Sequence, residues 1–247
     1  YENENEFLKH GRYYNYAPGP GHNFLEQCDT QFIENNSSFE ELCNTLIGDK
    51  YSIMKKSVIR SVPIGSLPDW IVDKVKELGR PNLNPYVKDQ YQDVQYFLHT
   101  DFHQDKTRQE SEFVTVYIYL DDVSPECSAL NILSNSHKLG YTSYPHNLRK
   151  SIYDNDAWHY NDNKGKYIRC NEIIVTGGAG TVACFHHMTL HGTPVNNTNN
   201  PRISLRYLIK IDTNDEKSLF NKANHLIFGD KINDKPRLDV SEDGALI

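Results

Sequence analysis

Between residues 93 and 211 the chain is a succession of short β-rich runs separated by turn residues, and this texture limits the possible folds more than any other feature. The runs are residues 93–100, 112–120, 129–133, 172–176, 180–185 and 202–211, with Gly, Asn, Asp and Pro clusters between them. Branched and aromatic side chains suit a pleated, half-buried surface, while glycine and proline end such segments. Several short strands spaced by turns predict a sandwich or barrel. With 247 residues, 38% of them apolar, the chain can bury a sizeable core as one domain.

The flanks read differently. Residues 1–35 are polar and aromatic, and Pro18-Gly19-Pro20-Gly21 breaks them, so an irregular arm is expected with one helix or strand at 23–32. Ser38 with Glu41 three positions on fits a capping box, predicting a helix that runs to about Ile47 and stops at Gly48. Residues 58–62 form a β-type run ended by Pro63. Ile71, Val72, Val75 and Leu78 recur at helical spacing behind Pro68, so a second helix is expected to end at Gly79. Residues 141–170 interrupt the β texture with a polar, aromatic stretch that includes Tyr153, Trp158 and Tyr167, the usual form of a lid or binding loop. Residues 213–247 are charged, with one short helix expected at 218–227. The whole reads as a single domain, 1–247: a helical and irregular part to residue 90, a β core at 91–212 carrying the lid-like insertion, and a tail.

Charge and cysteines narrow the setting. The net charge is -7 and there is no lysine-arginine block, which disfavours nucleic acid and anionic membranes as partners. No run of 18 apolar residues exists to span a membrane. The first residues are polar and acidic, unlike a secretory signal or an Arg-rich transit peptide. Five cysteines, widely spaced and without Cys-x-x-Cys, argue for a reducing compartment, and a cytoplasmic location is expected.

The chemistry gathers in two places. Two His-x-Asp pairs stand together, His99-Thr100-Asp101 and His103-Gln104-Asp105. In a strand, residues two apart share a face, so such a pair can offer two ligands to one metal without bending the backbone. Each pair alone is a weak signal in a chain with 11 histidines. His186, His187 and His191 are candidates for a third ligand. His186 and His187 are adjacent and would face opposite ways, which suits packing and surface roles, whereas His191 lies between a strand and the turn residues Gly192-Thr193-Pro194. Two imidazoles and one carboxylate make the facial triad that holds Fe(II) and leaves positions open. Arg202 follows His191 by eleven residues at the start of the next β run. Its fork of donors suits a dicarboxylate, and Ser204 would share its face.

These residues resemble the phytanoyl-CoA dioxygenase (PhyH)-like family of Fe(II)/2-oxoglutarate oxygenases. The resemblance runs from about Tyr96 to Leu208. It includes His103-Gln104-Asp105, the run 116–123, the segment 129–140 with its Ser136-His137, Gly177-Gly178 to Phe185, and His191-Gly192-Thr193 with Arg202. It implies a mainly β fold with flanking helices, built on a double-stranded β-helix (jelly-roll, cupin-like) core. It implies His103, Asp105 and His191 as iron ligands, Arg202 with Ser204 as the clamp for the far carboxylate of 2-oxoglutarate, and Thr193 as a further contact. His99 and Asp101 then become outer or substrate-facing residues, and His137 a structural residue of its turn. The expected activity is oxidation by O₂ of an unactivated C–H in a small metabolite or natural-product intermediate, with release of succinate and CO₂. Asp105 at the carboxylate position implies hydroxylation or a related oxidation, because halogenating relatives carry a small residue there. Ser134-Asn135-Ser136 departs from the family's Pro-Gly-Ser, and Ser128 stands where glycine is common. Two rival readings are a cupin-like metal enzyme that does not use 2-oxoglutarate, against which Arg202 speaks, and a non-catalytic jelly-roll binding domain, against which the intact triad speaks.

Overall fold

The structure, a computed structural model, describes residues 1–10, 25, 28–79, 81–88, 94–105, 113–142, 146–162, 165–211 and 219. Its strands in chain order are β1 (Tyr51–Ser61), β2 (Gln95–Phe97), β3 (Thr100–His103), β4 (Phe113–Tyr119), β5 (Leu130–Leu133), β6 (Asn147–Lys150), β7 (Ala157–Asn161), β8 (Tyr167–Val175), β9 (Val182–His186), β10 (His191–Thr193) and β11 (Arg202–Ile211). They form a five-stranded sheet, β2-β1-β11-β4-β9, and a six-stranded sheet, β3-β10-β5-β8-β7-β6. Neighbours are antiparallel except for β1 with β2. From β2 to β5 and again from β8 to β11 consecutive strands alternate between the sheets, which gives the expected jelly roll.

Period-two alternation sorts the side chains. On β4 and β11, Val114, Val116, Ile118, Leu205, Tyr207 and Ile209 turn outward and meet helix Ser37–Leu46 through Phe39, Cys43 and Ile47. The inward set, Ile59, Tyr117, Tyr119, Leu130 and Phe185, fills the space between the sheets, with Ile132 and Val175 at its margin. A third cluster forms beside the barrel, where helix Glu4–His10 lays Phe7 against Ile71 and Val75 of helix Asp69–Leu78.

Several expectations shift in detail. The strand expected at 58–62 is the end of the longer β1. Part of the arm expected to be irregular is the helix Glu4–His10, held by the buried Phe7. In helix Ser37–Leu46 the N-cap is Asn36, whose side chain accepts from the Ser38 N–H at 2.9 Å. Ser38 therefore sits inside the first turn, and asparagine caps as well as serine does. Helix Asp69–Leu78 ends as expected at Gly79, with φ +62°. Within 23–32, only the start of helix Gln31–Glu34 is described as regular structure beyond Leu25. The helix expected at 218–227 lies outside the described residues apart from Leu219.

The insertion at 141–170 is laid out as sheet. Its described residues form β6, β7 and the first half of β8, which extend the six-stranded sheet past the barrel edge. Tyr160, Leu148, Ile168 and Trp158 join Phe102, Leu133 and Leu190 in one apolar patch. That patch lies on the face of the sheet opposite His103 and His191, since residues adjacent in a strand face opposite ways. All five cysteines are free thiols. Among the described residues no helix is long and apolar enough to cross a membrane.

Candidate active site

β3 delivers the first histidine. Phe102 turns to the outer patch, so His103 turns inward. β10 pairs antiparallel with β3 in a register that sets His191 opposite His103, and the ring centroids are 4.3 Å apart. Asp105 meets both: its Oδ1 lies 3.8 Å from His103 Nε2 and its Oδ2 3.6 Å from His191 Nε2. One donor atom from each of the three falls within 4.8 Å of the others, a group able to hold a metal ion and the one such group among the described residues.

Each ring is oriented by a backbone carbonyl. His103 Nδ1 is 2.7 Å from the Asp101 oxygen, and His191 Nδ1 is 3.0 Å from the Thr189 oxygen. A carbonyl only accepts, so each Nδ1 carries the proton and each Nε2 keeps the lone pair that a metal requires. Burial pushes His191 down to about 4, which keeps the ring neutral at pH 7. Burial would raise the Asp105 carboxyl, but the Arg206 guanidinium, then His191, His103 and the Thr115 hydroxyl, hold it well below the usual carboxylate range. The donor set thus holds one carboxylate and two imidazoles, which is the chemistry a divalent iron takes.

The intervening Gln104 faces away and is buried. Its amide donates to the carbonyls of Gly140 and Met188, both at 2.8 Å, and accepts from the Thr142 N–H. It thereby ties the end of β3 to the segments before β6 and before β10. The approach of β10 to β3 is tight at Gly192, where an added Cβ would lie 2.7 Å from the Thr100 carbonyl oxygen.

Arg202 opens β11 and is 1% exposed. Its Nη1 donates to Ser204 Oγ, its guanidinium lies 5.9 Å from the Tyr119 ring centre, and its Nε has no partner among the described residues. A buried cationic donor without a partner is costly, and an anion in front of it would remove that cost. Thr193, expected as a further contact, pairs its hydroxyl with that of Thr100 at 3.1 Å. The rival pair His99 and Asp101 meets at 3.8 Å, with the aspartate exposed, and does not include His191. His187 is buried between the Phe113 carbonyl and the Tyr141 hydroxyl, and His186 Nδ1 accepts from the Met188 N–H, so both act in packing as expected. The His137 ring lies tilted against His186, with centroids 5.5 Å apart.

Two participants escaped the sequence reading. Arg206 reaches Asp105 Oδ1 at 3.2 Å, and Thr115 donates to Oδ2 at 3.1 Å. The signal for Arg206 was present: Arg202, Ser204 and Arg206 alternate along one strand and must share a face. Thr115 carried no signal, because its place opposite Asp105 depends on how the two sheets meet.

The family model described as Phytanoyl-CoA dioxygenase (PhyH) matches residues 81–204, just over half of the chain. No curated protein matches the sequence. In backbone course the chain is similar to EvdMO1, with TM-score 0.48 and 14% identity over 84% of this chain and 41% of that one. It is also similar to the non-heme alpha ketoglutarate dependent epimerase SnoN from nogalamycin biosynthesis, with TM-score 0.47 and 17% identity over 85% of this chain and 70% of that one. A third likeness is to AviO1 from Streptomyces viridochromogenes Tue57, with TM-score 0.43 and 12% identity over 76% of this chain and 65% of that one. The chain thus spans less than half of the EvdMO1 chain, and the family assignment rests on the family model alone.

Proposed function

Because the chain belongs to the phytanoyl-CoA dioxygenase (PhyH) family of iron- and 2-oxoglutarate-dependent oxygenases, we propose that His103, Asp105 and His191 are its iron ligands and that Arg202 receives 2-oxoglutarate. The observation that carries this reading is the unpartnered Nε of a buried arginine on the strand that also brings Arg206 to Asp105. Along β11 the four residue steps from Arg202 to Arg206 cover roughly 13 Å.

Bound iron, with 2-oxoglutarate and O₂, supplies the oxidising power, and succinate and CO₂ leave. The chain's own residues do the rest. His103 and His191 present Nε2 because the Asp101 and Thr189 carbonyls hold their Nδ1 protons. Arg202, braced by Ser204, fixes the far carboxylate by charge and direction. Thr193 stiffens the β3–β10 junction through Thr100, so its part is to hold the strands that carry both histidines. Beyond His191, the same face of the six-stranded sheet continues through Ile132 to the half-exposed Ile173. This row gives the substrate an apolar wall that excludes water beside the metal. The substrate is a small molecule, a metabolite or natural-product intermediate, hydroxylated at an unactivated C–H. Five free thiols and an acidic surface fit a cytoplasmic setting with neither nucleic acid nor membrane as partner.

The test is succinate formation from 2-oxoglutarate under air, with purified protein and Fe(II), alone and against a panel of small metabolites. Slow uncoupled turnover that disappears in His191→Ala is the expected result, and a panel member that accelerates it identifies the substrate class. No succinate, together with no binding of 2-oxoglutarate to iron-loaded protein, would overturn the reading.

A further inference from the structure

Two arginines share the inner face of β11, and they are committed differently. Arg202 keeps an unpartnered donor. Arg206 is held at two points: the sheet register places it between Ser57 on β1 and Tyr117 on β4, its Nε donates to Ser57 Oγ at 3.1 Å, and its Nη1 donates to Asp105 Oδ1 at 3.2 Å. The second oxygen of the same carboxylate accepts from Thr115 Oγ1 at 3.1 Å. The Arg206 and Asp105 side chains are 14% and 10% exposed, so this ion pair is little screened. Asp105 also lies beyond β3, which ends at His103, so no strand ladder fixes its backbone. Its carboxylate is oriented by side chains reaching from the opposite sheet.

We propose that Arg206 is a positioning residue for the metal-binding carboxylate: with Thr115 it grips Asp105 by both oxygens, so that the aspartate offers a divalent metal one oxygen in a fixed orientation and not two. The inference rests on the reading of His103, Asp105 and His191 as ligands. Its consequence concerns vacancy. A carboxylate that chelates through both oxygens takes an extra coordination position, and this chemistry needs the positions opposite the triad left open. A guanidinium anchored on Ser57 holds one oxygen back. A surface arginine merely neutralising charge would need neither the Ser57 anchor nor a partner on the other oxygen.

Cobalt(II) binding to purified protein tests this without turnover, read as affinity and as the visible absorption of the bound ion, which reports its coordination number. Arg206→Gln is expected to weaken cobalt binding ten- to a hundredfold, as loss of a partner behind a ligand does, and to change the absorption band. Arg206→Lys, which keeps the charge but loses the fork, should be intermediate in both. Unchanged affinity and spectrum in a folded Arg206→Gln would overturn the proposal. So would tighter cobalt binding, since Arg206 would then be a competitor of the metal. If Arg206→Gln fails to fold, Thr115→Val carries the test, because it removes only the bond to Oδ2. There a several-fold weaker affinity with a spectral change is expected, and no change in either would overturn the proposal. Failure of the triad reading looks different: wild-type protein would bind no cobalt, or His191→Ala would bind it as well as wild type.

Discussion

Gly192 follows the second histidine because nothing larger fits between β10 and β3. A methyl there would meet the Thr100 carbonyl oxygen at 2.7 Å and the Asp101 carbonyl carbon at 3.0 Å. Both belong to the strand that carries His103, so the substitution would push the two histidines apart. Gly192→Ala should destabilise the fold by about 1–3 kcal/mol and weaken cobalt binding at least tenfold, checked by thermal melting and by titration. The departures from the family pattern are also explained at single residues. Ser128 and Asn135 both have positive φ, +55° and +64°, at the positions where the resemblance leads one to expect glycine. Asparagine tolerates this region, and Ser128 is further held by its hydroxyl, which donates to the Pro194 carbonyl at 2.7 Å. Asn135→Ala should lower stability by about 1 kcal/mol, while Asn135→Gly should match wild type in the same denaturation experiment. The sequence made the proposed metal ligands legible through the His-x-Asp spacing and the resemblance, although β3 ends at His103 and Asp105 lies just past it. It left Arg206 and Thr115 unread because their meeting with Asp105 is made by tertiary packing.

The elements follow the same division. β2, β4, β5, β9 and β11 were readable, and β1 and β8 over their second halves, since each alternates or runs apolar between turn residues. The pairing of β10 with β3, only three and four residues long, could be read from the metal chemistry and not from propensity. Helix ends were readable where glycine stops the helix, as at Gly79, and ambiguous where several polar residues compete for the cap, as at Asn36 and Ser38. One element junction carries a pH prediction. Glu34, in helix Gln31–Glu34, accepts from Lys56 on β1 at 2.7 Å and from Thr30 at 2.8 Å. Burial would raise its carboxyl, but the Lys56 and Thr30 hydrogen bonds outweigh that and hold it below 4.5. A depressed carboxylate stabilises the fold above its unfolded value and loses that contribution as pH falls through the lower folded value. Wild type should therefore exceed Glu34→Gln by about 0.5–1 kcal/mol near neutral pH, and the difference should vanish in acid below 4.5, read by urea denaturation across pH.

At the scale of the molecule, two sheets share the work. The five-stranded sheet carries the arginines and helix Ser37–Leu46 packs on its back, while the six-stranded sheet carries the histidines on one face and an apolar patch on the other. The strands of the 141–170 segment were illegible because the run is polar and its apolar residues, Leu148, Tyr160 and Ile168, align only once the strands are paired. Their union with Phe102 and Leu133 braces the far side of the sheet that holds His103 and His191. On the proposed reading the sheets also meet through the co-substrate, which would reach from the metal to Arg202. The most direct test is an oxygen-free titration of 2-oxoglutarate into metal-loaded protein, comparing wild type with Arg202→Ala. Removing one partner of a buried ion pair is worth about 3 kcal/mol or more. The variant should therefore keep its metal and bind 2-oxoglutarate at least a hundredfold more weakly. Equal binding by the two proteins would contradict the assignment of Arg202, and with it the site as described.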